Sequence, residues 1–146
     1  MRWLIDTNVV SETIRPRPDK RVVEWLDKQP SDLMAIGIVT FAELRRGALS
    51  RGNNADGRQL MEWVETIVAT WFEDRILPLS SDILIDWIDL STALAGKGKT
   101  RNPADLLLAA TARIHGLTVV SRNTRDFIGT GVTVYHPWTG ETHHMS

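Results

Sequence analysis

Short, wholly apolar runs alternate along this chain with longer stretches of helical period, and that alternation restricts the fold more than any other feature. Trp3-Leu4-Ile5 is bounded by Arg2 on one side and by Asp6-Thr7-Asn8 on the other. Three large apolar residues in succession leave no polar face, the pattern of a strand buried on both sides in a parallel sheet. A second such run, Leu33 to Val39, follows an Asp19-capped helix carrying Val22, Val23, Trp25 and Leu26. The pattern ends this strand at Thr40 and opens a helix at Thr40-Phe41-Ala42-Glu43 that runs to about Leu49. Leu60, Trp63, Val64, Ile67, Val68 and Trp71 then recur at helical spacing between about Asp56 and Phe72. Ile76-Leu77-Pro78-Leu79 reads as an edge strand, where proline is tolerated. Ser80 or Ser81 starts a helix closed by Gly96. Asn102 as cap, Pro103 at the first helical position and Gly116 beyond the end frame another helix, Leu106 to His115. Thr118 to Ser121 and Val132 to Val134 are the last strands, and no periodicity follows from Pro137.

Strands alternating with helices define an α/β domain with right-handed crossovers, a three-layer α/β/α sandwich around a short, mostly parallel sheet of about five strands. The expected organisation is one domain over residues 1–136 and a C-terminal tail over 137–146. A chain of 146 residues buries about two-thirds of its unfolded surface, enough for a self-sufficient core. No run is long enough to span a bilayer and no signal-peptide order is present, so a cytoplasmic location is expected and a membrane is not. The absence of cysteine excludes disulfides, thiolate metal sites and cysteine nucleophiles. A net charge of −1 argues against binding nucleic acid by bulk electrostatics. Most of the basic residues are arginines, however, and several stand beside acids: Arg45 and Arg46 after Glu43, Arg101 before Asp105, Arg122 and Arg125 around Asp126.

Those acids share one edge of the expected sheet. Ligands of open α/β sheets bind at the carboxyl ends of the strands, where the strand order reverses. Asp6 ends the first strand, Glu43 lies in the first turn of the helix leaving the second, and Asp126 follows the fourth. Asp105 begins the helix that runs back to feed the fourth, so it lies at the same rim. Each acid alone has a structural explanation. Asp6 suits a helix cap, Thr40-x-x-Glu43 matches a capping box, Asp105 complements a helix dipole, and Asp126 suits a turn. Four like charges on one rim repel, though, unless something positive sits among them. With oxygen ligands alone, that partner is a hard divalent cation, Mg2+ or Mn2+ rather than zinc.

At these residues the chain resembles the PIN-domain ribonucleases, and within them the VapC-type toxins of bacterial toxin–antitoxin pairs. Leu4-Ile5-Asp6-Thr7-Asn8 is similar to the opening strand and first acid, and Thr40-Phe41-Ala42-Glu43-Leu44-Arg45-Arg46-Gly47 to the second motif. Pro103-Ala104-Asp105 through Ala112 resembles the third, and Val120-Ser121-Arg122-Asn123-Thr124-Arg125-Asp126-Phe127 the fourth. The resemblance implies a PIN-like fold, Mg2+- or Mn2+-dependent cleavage of an RNA substrate, a cognate antitoxin that blocks the site, and a homodimer. Asn102 is neutral where some relatives carry another acid. In the mechanism that fits, Asp6, Glu43 and Asp105 hold the metal, while Asp126 completes its shell or orients the attacking water. Ser121, Arg122 or Asn123 would steady the scissile phosphate, and Asn8 and Thr40 would orient the carboxylates. The stripes Leu60 to Trp71 and Ile83 to Leu94 are expected to form part of the dimer interface.

Other readings are weaker. Gly98-Lys99-Thr100 imitates a phosphate-binding loop, but the earlier glycine would fall at Ala93, inside a helix. His143-His144 and His115 lack partners for catalysis, and Trp25, Trp63, Trp71 and Trp87 fall on apolar stripes rather than a base-stacking surface. An aspartyl-phosphate phosphatase would need a second Asp two residues after Asp6, where Asn8 stands. The remaining alternative is a catalytically silent RNA- or protein-binding PIN-like module.

Overall fold

The computed structural model describes residues 1–146. Its elements run β1 (Trp3–Ile5), α1 (Thr7–Glu12), α2 (Lys20–Lys28), β2 (Met34–Gly37), α3 (Ile38–Ser50), α4 (Ala55–Glu62), α5 (Ala69–Phe72), β3 (Ile76–Leu77), α6 (Ser81–Gly96), α7 (Pro103–His115), β4 (Thr118–Val120), β5 (Thr133–His136) and β6 (Glu141–His144). The strands form one sheet in the order β3-β2-β1-β4-β5-β6. All neighbours are parallel except β5 and β6. The expected three-layer α/β/α architecture is therefore present, with six strands instead of about five.

Alternation along β1 sets up the layers, because successive side chains point to opposite faces of a strand. Leu4 enters one core with Leu90 and Leu94 of α6, Leu106, Leu108 and Ala109 of α7, and Phe127. Trp3 and Ile5 enter the other with Val9 and Val10 of α1, Val22 and Leu26 of α2, Leu44 of α3, and Val64, Val68 and Phe72. Both faces of this central strand are buried, as its apolar run requires. No helix is long and apolar enough to cross a membrane.

Three local expectations are corrected. The second strand ends at Gly37, and α3 begins at Ile38, with Gly37 as an N-cap that supplies no side-chain bond. Ile38 and Val39 favour strand as β-branched residues, but Thr40, Leu44 and Ala48 form a buried stripe at four-residue spacing, and that packing decides for helix. The helix expected over 56–72 contains a π-helical stretch, Trp63–Val68, between α4 and α5. Along this stretch Ile67 is 56 % exposed, while Val64, Val68 and Phe72 are buried in the core. Finally, the chain beyond Pro137 supplies β6, antiparallel to β5, and Met145 packs into the core.

The turn before α4 is held by close backbone approach. A Cβ on Gly57 would stand 2.0 Å from the Gly52 carbonyl oxygen, and the Gly57 N–H donates to the Asn54 side chain at 2.9 Å. Only glycine fits there.

Candidate active site

The chain leaves β1 for β2 and β3 on one side and returns to β4 on the other, so the strand order reverses between β1 and β4. Their carboxyl ends flank the crevice where such sheets bind ligands. Asp6 sits there, its backbone N–H still paired with the Val120 carbonyl at 2.9 Å.

Asp6 caps α1, as expected, but its bonds reach further. Its Oδ1 accepts from the Thr7 N–H at 2.7 Å, and its Oδ2 accepts from Asn8 Nδ2 at 3.2 Å and from the Ser121 hydroxyl at 2.7 Å. Asn8 Nδ2 also donates to Ser121 Oγ at 3.2 Å, and Asn8 Oδ1 accepts from the Arg122 N–H at 3.1 Å. The carboxylate is only 6 % exposed and is fixed by a network spanning the β1–β4 seam. Burial raises its pKa above the usual carboxylate range, and the Glu43 charge pushes the same way. The bonds from Ser121, Thr7 and Asn8 oppose the shift without cancelling it.

Glu43 lies in the second turn of α3, beyond the reach of a capping box. Its Oε1 accepts from the Thr7 hydroxyl at 2.7 Å, which ties α3 to α1. Asp105 stands in the first turn of α7, whose cap is the Asn102 side chain accepting from the Ala104 N–H. Its own pKa is raised from 3.8 to about 7, first by burial and then by the charges of Asp6, Asp126 and Glu43. Asp126 lies in a 3-10 turn, Thr124–Phe127, pinned by the fully buried Phe127. The fold therefore brings Asp6, Glu43 and Asp126 within electrostatic range of Asp105.

The arginines do not neutralise them. Arg45 pairs with Glu65 at 2.6 Å, and Arg101 donates to the Thr100 and Ile128 carbonyls. The other ion pairs join Arg15 to Glu12 and Arg113 to Asp86, and the His143 ring stands 3.7 Å from Glu141. The rim is thus an acidic cluster without an internal counter-cation. No three acidic or histidine side chains are gathered tightly enough to grip an ion between them as they stand.

Two supporting roles fall on residues other than those expected. Thr40 is buried on α3 and makes none of the hydrogen bonds to the acids; Thr7 orients Glu43 instead. Ser121 and the Arg122 backbone support Asp6 and Asn8. Thr7 could have been found from its place between Asp6 and Asn8, whereas the Ser121 contact joins positions 115 residues apart.

Because the folded Asp105 binds its proton more tightly than the unfolded chain does, its contribution to stability is complete below pH 3.8 and is lost as the pH rises through about 7. With EDTA present, Asp105→Asn should therefore melt above the wild type at pH 8, and the gap should close as the pH is lowered toward 4 (thermal denaturation by circular dichroism). A gap independent of pH would show that Asp105 does not carry the strain.

The mostly parallel sheet carries Asp6 at its topological switch, and residues 3–131 match the model of the PIN domain. The chain belongs to the PIN-domain family. It is 37% identical to Toxin FitB of Neisseria gonorrhoeae over 92% of this chain and 97% of that protein. It is 32% identical to VapC ribonuclease Y4jK of Sinorhizobium fredii over 92% of this chain and 96% of that one. Among solved structures, FitAB bound to a DNA fragment superposes with a TM-score of 0.88 at 36% identity, covering 97% of this chain and 99% of that one. VapBC-5 of Mycobacterium tuberculosis, a member of the VapBC family of toxin-antitoxin systems, gives 0.62 at 30% identity over 86% of this chain and 87% of that one.

Proposed function

We propose that the protein is the ribonuclease toxin of a toxin–antitoxin pair and that it cleaves an RNA substrate at the four-carboxylate rim with the help of Mg2+ or Mn2+. The observation that carries this reading is the cluster itself: burial and then the charges of Asp6, Asp126 and Glu43 raise the Asp105 pKa to about 7, and none of the ion pairs supplies these four acids with a cation. The toxin and ribonuclease names of its relatives give the reaction class.

The donor set fits the cation. All candidate ligands are oxygens, and Mg2+ retains several waters while using only one or two carboxylates, so a loose cluster suits it better than a tight cage. Asp6, Glu43 and Asp105 are the residues that would hold it. Bound there, the cation would make a water acidic enough to attack a phosphodiester near neutral pH.

The protein's own groups do the positioning. Ser121, Asn8 and the Thr7 N–H lock Asp6 in one orientation, and the Thr7 hydroxyl does the same for Glu43. Asp126 would complete the ion's shell or orient the attacking water. A cleft of about 920 Å³ lined by Thr7, Ser11, Glu43, Leu44, Leu60 and Trp63 opens from Glu43 between α1, α3 and α4. It would receive an apolar helix of the antitoxin, whose Arg or Lys would compete with the cation at the rim. Leu84, Ile85 and Ile88, exposed along α6, would form part of a homodimer interface.

Glu43→Gln tests the assignment, because glutamine can still accept from Thr7 but lacks the charge. RNA cleavage in Mn2+ or Mg2+ should fall by about 10²-fold or more, roughly 3 kcal/mol of transition-state stabilisation, with the melting temperature nearly unchanged. Wild-type cleavage that persists undiminished in EDTA would remove the metal from the reading.

A further inference from the structure

Beside the acidic rim lies a patch of opposite character that the proposed reaction leaves unused. Arg122 follows Ser121 directly, and its backbone N–H is anchored on Asn8, which itself donates to Asp6. Its guanidinium lies over the ring of Trp138, 5.0 Å from the centroid. Trp138 stands in the turn between β5 and β6, where its N–H donates to His136 Nδ1 at 3.2 Å and its carbonyl accepts from Arg21 of α2 at 2.8 Å. The His136 ring meets the indole edge-on at 5.9 Å. Trp138 is half-buried at the margin of the core, while both arginines are exposed.

Neither arginine belongs to an ion pair. His136 adds no charge, since burial and then the Arg122 cation lower its pKa below 6.5 and leave it to anchor the turn. The result is one guanidinium, that of Arg122, on an aromatic ring and a second, that of Arg21, on the same residue's backbone carbonyl, neither in an ion pair.

We propose that Arg21, Arg122 and Trp138 form a strand-holding subsite that takes a nucleotide flanking the cleaved bond of a single-stranded RNA. The arginines bind its phosphate, and its base packs against the Arg122–Trp138 stack. This rests on the ribonuclease reading and deepens it. Guanidinium groups match phosphate geometry bidentately. Every base offers a π-face to an aromatic or guanidinium plane, so such a platform holds a strand with little regard for sequence. Phosphate contacts of this kind set register. They also offset the repulsion between the strand and the acidic rim.

The test uses a fluorescently labelled single-stranded RNA of random sequence, bound to the full chain in EDTA over a salt series and followed by anisotropy. Arg21→Gln and Arg122→Gln should each weaken binding and flatten the log-log salt dependence by about 0.7, whereas Arg21→Lys should keep the slope. Trp138→Leu should lose roughly five- to a hundred-fold in affinity, and Trp138→Phe should recover much of it, which separates stacking from folding. With divalent ion restored, Arg21→Gln should raise KM while kcat holds. Unchanged slopes and affinities alongside normal cleavage would overturn the subsite and leave the nuclease reading intact. Absence of RNA binding by the wild type, or losses confined to binding of the purified antitoxin, would overturn it too. If the variants shift RNA binding as expected but no chain hydrolyses RNA, the subsite stands and the nuclease reading falls.

Discussion

Asp6→Asn should abolish RNA cleavage, a fall of at least about 10³-fold, or roughly 4 kcal/mol of transition-state stabilisation, while the fold survives. The change removes the most buried of the four charges and keeps the side-chain volume. Its effect on stability is the balance of two terms. Losing the carboxylate removes the burial cost that, with a smaller push from the Glu43 charge, raises the Asp6 pKa. Against this, an amide NH2 in place of Oδ2 would face Asn8 Nδ2, a donor against a donor, because Asn8 Oδ1 is held by the Arg122 N–H. Ser121 cannot simply turn from donor to acceptor, since its oxygen already accepts from Asn8 Nδ2 and the Asn123 N–H. The expected melting temperature lies within a few degrees of the wild type, and a gel assay with divalent ions reads the activity. A variant that keeps most of its cleavage would exclude Asp6 from the site.

Phe127→Ala should produce the largest loss of stability among changes near the site. Phe127 is fully buried in the core shared by α6, α7 and the sheet, and truncation of such a ring costs about 3–5 kcal/mol. Domains of this kind are stable by only about 5–15 kcal/mol, so the midpoint of urea denaturation should drop steeply. Activity should fall further than the folded fraction does, because the same ring pins the turn that presents Asp126. A cost below about 1 kcal/mol would mean that the turn is anchored by something else.

What was legible in the sequence was local. The β1 run, the Asn102 cap with Pro103 and Gly116, and the edge strand before Pro78 each carry their own signal, and each was found. Asp6, Asp105 and Asp126 were legible because each stands in or beside a first turn on one side of the sheet, and Glu43 because the expected helix start at Thr40 put it there too, although it lies in the second turn of α3. The start of α3 was not, since Ile38 and Val39 favour strand and only the buried stripe through Thr40, Leu44 and Ala48 settles it. The π-helical turn at Trp63–Val68 has no pattern of its own in the sequence. Strand β6 was hidden because Glu141-Thr142-His143-His144 is polar throughout, and an edge strand is held by its backbone ladder with β5. Partners that meet only after folding, Thr7 with Glu43 and Ser121 with Asp6, leave no trace in spacing along the chain.

The order of strands also sets when the acids come together during synthesis. β1 lies in the middle of the sheet, yet one of its two neighbours is β4. A nascent chain thus carries Asp6 from its first residues and Glu43 soon after, but Asp6 has no Ser121 to fix it, and Asp126 does not exist, until most of the protein has left the ribosome. A polypeptide stalled after α7 would hold three of the four carboxylates and no assembled crevice. Topology alone postpones the chemistry to the end of translation.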